Sequence, residues 1–283
     1  MIKKKEVFII HTKRAFMERR IVHDLSATLE RCGYSIHGYS GWEFYEQPST
    51  PEWSYEEGQS FDMDRYRQGL PWFQRSPVEL SVDDDGLSWR FEKSRLIMII
   101  NPTLPRVSAG VEHELRLLNH PKLKRNIGEH LFLLCTIENS PLHPMLKEID
   151  FDSTLNIRAL PTRRSILELS KREPMPSDVF RAGIRIGFLM LDRSLSKPRT
   201  LSASVSMNPD VRRSLQLLTQ LLNDIEKEKT SPSPLYNVDI EREAISLCDM
   251  LLSKCNLTSD LKTEATDVKK RLRACLRSHE DRG

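Results

Sequence analysis

"EVFIIHTKRAFMERRIVHDLSATLERCGYSI", residues 6 to 36, holds two periods in succession. Residues 6 to 10 form a short, unbroken apolar run rich in β-branched side chains, which suits a strand covered on both faces. The period then changes. Ile21, Val22, Leu25, Leu29 and Cys32 recur at three- and four-residue spacings, which predicts a helix, and Gly33 supplies its C-terminal cap. "YSIHGYS" returns to strand. Strand, helix, glycine and strand make the unit of a parallel sheet, because a parallel return needs a crossover.

The same alternation continues downstream. "SRLIMIINP" (94 to 102) predicts a third buried strand, followed by a helix from about Ala109 to Asn119. "HLFLLCTIE" (130 to 138) predicts a fourth strand and "LNIRAL" (155 to 160) a short fifth. "SILE" at 165 to 168 has the form of a capping box at a helix start. Residues 1 to 195 therefore predict an α/β domain, a mostly parallel sheet with helices on both faces. One stretch inside it differs. Residues 41 to 91 carry all four tryptophans with weak periodicity, too aromatic for a disordered linker, and read as an ordered, functional insertion.

Residues 196 to 283 form a helical C-terminal region set off by the Ser/Pro-rich breaks "SKPRTLSASVSMNP" and "KTSPSPLY". Val211, Leu215, Leu218, Leu222 and Ile225 make one apolar stripe, and Leu261, Ala265, Val268, Leu272 and Cys275 another. A middle helix at about 238 to 255 contributes Ile245, Leu247, Leu251 and Leu252. A small bundle, an oligomerisation surface and a packing layer on the first domain all fit these stripes.

Composition narrows the function classes. With 43 basic and 40 acidic residues, a net charge of +3 gives no argument for nucleic acid or an anionic membrane. The five cysteines include no CxxC pair and sit mostly at apolar positions, as reduced thiols of a cytoplasmic protein would. "MIKKKEVFII" reads as a strand rather than a signal peptide, and "VFRAGIRIGFLMLDR" is interrupted by Arg181 and Arg185, so no spanning segment is predicted. There is no GxGxxG, P-loop, GxSxG or HExxH motif, and no Cys/His cluster with metal spacing, so neither a resident cofactor nor a metal is expected.

Chemistry concentrates in "RVSAGVEHELRLL", residues 106 to 118. At about 100° per residue, Val111, Leu115 and Leu118 share the buried stripe, and Glu114 falls at its margin. A carboxylate half-withdrawn from water is costly unless something uses it. The bland account is a boundary glutamate paired with Arg106 or Arg116. Position favours the other account, since ligands of open parallel sheets bind outside the carboxyl ends of the strands. The loops "HTKRAF", "GWEF" and "TLPRVSAG" all open there, bringing Lys13 and Arg14 for phosphate and Trp42 for stacking beside Glu114. That set suits a nucleotide.

The order of these segments resembles a Toll/interleukin-1 receptor (TIR) domain. "EVFIIHTKRAFMERRIVHDLSATLERCGYSI" is similar to its opening strand and helix, with His11 at the position of the family's Tyr or His. "SRLIMIINPTLPRVSAGVEHEL" is similar to its strand, loop and Ser-x-Trp-Cys-x-x-Glu-Leu segment, where Ser108 matches the serine and Glu114-Leu115 the Glu-Leu. Gly110 and Val111 stand in place of Trp-Cys. The resemblance implies a flavodoxin-like fold and cleavage of the nicotinamide–ribose bond of NAD+, often in bacterial anti-phage defence. Glu114 is then the catalytic glutamate, and His11, Lys13, Arg14, Trp42 and Ser108 bind the substrate. The resemblance also implies a homo-oligomer, with the loop beginning at Gly41 and Trp42 completing a neighbour's site and the C-terminal helices regulating assembly or recruiting a protein partner. Two other readings stay open: a non-catalytic assembly module of the same fold, and a nucleoside deoxyribosyltransferase-like enzyme whose glutamate is a covalent nucleophile.

Overall fold

The computed structural model describes residues 6–12, 16–37, 94–103, 107, 109–118, 130–138, 140–161, 172–196, 208–228 and 238–281. In chain order they form β1 (Val7–Ile10), α1 (Phe16–Arg31), β2 (Ile36–His37), β3 (Leu96–Ile100), α2 (Ala109–Leu118) and β4 (Leu131–Ile137). A 3-10 turn at Pro144–Leu146 precedes β5 (Ser153–Ile157), β6 (Ala159–Pro161) and β7 (Arg172–Pro174). Four long helices follow: α3 (Pro176–Ser196), α4 (Pro209–Glu228), α5 (Val238–Lys254) and α6 (Ser259–Glu280). The insertion at 41–91 and the capping box at 165–168 lie outside the described residues.

Five strands pair in the order β2-β1-β3-β4-β5, every pair parallel. Successive side chains point to opposite faces, and here both faces are covered. Val7, Ile9, Leu96, Met98, Leu133 and Cys135 join one core cluster with α1 and α3, while Phe8, Ile10, Ile97, Ile99, Phe132 and Leu134 join a second with α2. That is why β1 and β3 read as unbroken apolar runs. β5 instead alternates, with Leu155 and Ile157 buried and Thr154 and Asn156 exposed.

α1 stops where the sequence predicts. Gly33 adopts φ +85°, its N–H bonds to the carbonyl of Glu30 at 2.9 Å, and the Tyr34 N–H bonds to that of Leu29 at 3.1 Å. This is the paired closure of a Schellman motif, in a conformation that glycine adopts without a Cβ penalty.

The predicted fifth strand is divided. "LNIRAL" belongs partly to β5 and partly to β6, which pairs antiparallel with β7, a strand the sequence reading did not anticipate. The break is at Arg158. The fully buried carboxylate of Asp178, in the first turn of α3, accepts from the Arg158 backbone N–H at 2.8 Å and from its guanidinium at 3.0 and 3.1 Å. The chain is thereby drawn off the sheet toward a helix N-terminus, where negative charge is favoured.

The C-terminal helices form an outer layer over α3. α3 packs against α1, α4 and α5, and α6 packs against α4 and α5. The predicted stripes face inward: Val211, Leu215, Leu218, Leu222, Ile225, Leu247, Leu251, Ala265, Val268, Leu272 and Cys275 are all buried. They belong to the same cluster as Val7 and Leu96, so one core runs from the sheet to the last helix. α3 comes close to α4 at Gly183, where a Cβ would lie 3.4 Å from a Leu217 methyl. Among the described residues no helix is long and apolar enough to cross a membrane.

Candidate functional site

The carboxyl ends of β1 and β3 lie side by side, but their chains leave in opposite directions. β1 leads into α1 on one face of the sheet, and β3 leads into α2 on the other. Divergence of this kind opens a crevice at the strand ends.

Glu18, in the first turn of α1, spans the two loops. It is fully buried. One carboxylate oxygen, Oε2, accepts from the Thr12 N–H at 2.7 Å, and the other, Oε1, accepts from the N–H and Oγ1 of Thr103, both at 3.0 Å. Burial raises the carboxyl pKa above its ordinary value, with the hydrogen bonds from Thr103 and Thr12 pulling the other way.

Asn101 organises the next opening along the edge. Also fully buried, it extends the β3–β4 ladder through its N–H to the Cys135 carbonyl at 2.8 Å. Its side chain donates to the Pro141 carbonyl and accepts from the His143 N–H, each at 2.9 Å. The loop after β4 is thus fastened to the end of β3.

Of the predicted site residues, His11 is buried at the end of β1, directly before Thr12. Glu114 is half-buried on α2, beside the buried Val111, Leu115 and Leu118, and α2 packs against β1 and the 3-10 turn. Arg116 pairs with Glu112 one turn away. Lys13, Arg14, Trp42 and Ser108, like Arg106, lie outside the described residues. The structure therefore places His11 directly after β1 and Glu114 on the helix that packs against β1, and it adds Thr12, Glu18, Asn101 and Thr103, which the sequence reading missed. For Glu18 a signal was present: it precedes Ile21 and Leu25 by three and seven positions, so it occupies the apolar register of α1.

Among the described residues no cluster of His, Cys, Asp or Glu is arranged to hold a metal ion. A shallow depression lined by Ala274, Arg277, Ser278 and Asp281 belongs to α6 rather than to the strand ends. No protein-family model matches the chain, and no curated protein or solved structure matches it either.

Proposed function

We propose that this chain is a TIR-like protein of flavodoxin-like topology that cleaves the nicotinamide–ribose bond of NAD+, with Glu114 as the catalytic glutamate. The observation that carries the reading is the strand order. In β2-β1-β3-β4-β5 the topological switch falls between β1 and β3, and ligands of such sheets sit outside the carboxyl ends there. Glu114 stands on the helix that leaves that point, half-buried.

The chemistry asks little more of the protein. Nicotinamide departs from a cationic precursor and needs no proton, so a single carboxylate near the ribose suffices to stabilise positive charge developing on the ring. Lys13 and Arg14 would meet the phosphates, Trp42 would stack on a base, and His11 and Ser108 would complete the binding set. Assembly through the sheet domain, with residues from Gly41 onward reaching a neighbour, belongs to the same proposal, as does a cytoplasmic setting.

The test is nicotinamide release from NAD+ by the full chain at high concentration, beside Glu114→Gln. Release that is lost in the variant while the melting temperature holds supports the reading. Equal release by both overturns the assignment of Glu114. A second reading, a non-catalytic assembly module, draws on the engagement of Glu18 and Asn101 in bonds within the chain. Self-association without NAD+ binding would favour it.

A further inference from the structure

We propose that Glu18 is the positioning residue of the β1/β3 crevice, holding one loop on each carboxylate oxygen and so fixing the width of the opening that receives a nucleotide. The inference rests on the nucleotide reading above and extends it to a residue that reading does not contain.

Three observations carry it. The first is placement. Glu18 belongs to α1 on one face of the sheet, yet its Oε1 holds Thr103, 85 residues away at the end of β3, whose chain departs to the other face. The second is stoichiometry. Two backbone N–H groups and one hydroxyl converge on the group, which asks for an acceptor on both sides. An ionised carboxylate offers that, whereas an amide must turn an NH2 toward one of the donors. The third is register. Position 18 lies on the buried stripe of α1, where an apolar side chain would pack without desolvating a charge. A leucine there would serve the core equally well and leave the loops untied.

The ligand is held by backbone and side chains of these same loops, so their separation sets how well its phosphate and ribose ends fit together. Small errors in such spacing have large effects on binding and on chemistry. Glu18 touches none of the reacting atoms in this scheme. It acts through Thr12 and Thr103.

The experiment uses the full chain with Glu114→Gln as background, so that NAD+ is bound and not consumed. Two quantities are read: NAD+ affinity by calorimetry, and amide hydrogen exchange at residues 11, 12, 101 and 103 against 97–100 within β3. Glu18→Gln is expected to speed exchange in both loop segments about tenfold while β3 holds, and to weaken NAD+ binding about tenfold. Thr103→Val, at an exposed position that removes one of the three donors, is expected to move both quantities in the same direction by a smaller factor, and it decides the matter where Glu18→Gln does not fold. Loosened loops with unchanged affinity would overturn the positioning role alone. Unchanged exchange in both segments would overturn the clamp itself. Absence of NAD+ binding in the Glu114→Gln background and in wild type would overturn the nucleotide reading, and with it the role given to Glu18 in holding one.

Discussion

Arg95 and Asp210 stitch the sheet to the C-terminal helices. The Arg95 guanidinium, just before β3, donates to both carboxylate oxygens of Asp210, in the first turn of α4, at 3.2 and 2.9 Å. Arg95 also reaches the Met190 carbonyl at 3.3 Å, and Arg213 bridges Asp210 to Glu6 with its guanidinium 5.0 Å from the centre of the Tyr34 ring. Arg95 thus ties the start of β3 to α3 and to the buried carboxylate of α4, and Arg213 ties α4 to the residue before β1.

Removing that carboxylate takes from both guanidinium groups their shared buried acceptor and leaves them Glu6 and the Met190 carbonyl. Asp210→Ala is expected to lower the unfolding free energy by about 3 kcal/mol, the scale for breaking a buried pair from one side. Asp210→Asn, which keeps the shape and part of the hydrogen bonding, should lose less. Urea unfolding curves of the two variants measure the difference. Equal curves for wild type and Asp210→Ala would show that Arg95 and Arg213 find water at no loss.

Glu18 makes stability depend on pH in a defined direction. Its pKa is raised in the folded state, so between the ordinary and the folded value the native chain holds a proton that the unfolded chain has already released. Its contribution is fully present below the ordinary carboxylate value of 4.5 and is lost as pH rises through the folded value. The stability of wild type relative to Glu18→Gln should therefore fall as pH rises across that window and be flat on either side. Paired thermal melts at closely spaced pH values test the sign.

The thiols should be nearly silent in the native protein. Burial pushes Cys135 and Cys248 up to about 12 and Cys32 up to about 11. At pH 8 little thiolate is present at any of them, and thiolate is the reactive form. An aromatic disulfide reagent should label Cys255, the half-buried one, ahead of these three, and reach all five cysteines only in denaturant. Above about pH 9 stability should decline, because the unfolded chain loses thiol protons that the native chain retains.

Leu217 tests the packing of α3 on α4. It is fully buried against Gly183, where the backbone of α3 comes close. Leu217→Ala is expected to cost about 3 kcal/mol, because an opening between two helices closes only in part. Calorimetry should show the whole transition shifted down and still single.

What was legible in the sequence is what depends on near neighbours. The strands β1, β3 and β4 and the stripes of α4 and α6 follow from period alone, and the end of α1 from one glycine. Glu114 stands out because helical geometry sets it one turn from Leu118, at the edge of the same face. The division of "LNIRAL" was not legible, since its cause, Asp178, lies 20 residues beyond Arg158. Glu18 met the criterion applied to Glu114 and met it more fully, for it lies on the stripe and not at its margin. What hid it is distance: the partner that explains its presence, Thr103, follows 85 residues later, across an insertion whose period says nothing about which loops meet.

The unbroken core bears on how this chain can be divided and recombined. A fragment ending at residue 196 would keep every described strand of the sheet, yet it would uncover the side of α3 that Gly183 and Gly187 bring against Leu217, Ser214 and Leu247. Such a fragment would bare a broad apolar flank that the full chain covers. The C-terminal helices accordingly share their core with the sheet, and a swap of this protein into another chain that keeps this core intact carries both halves together.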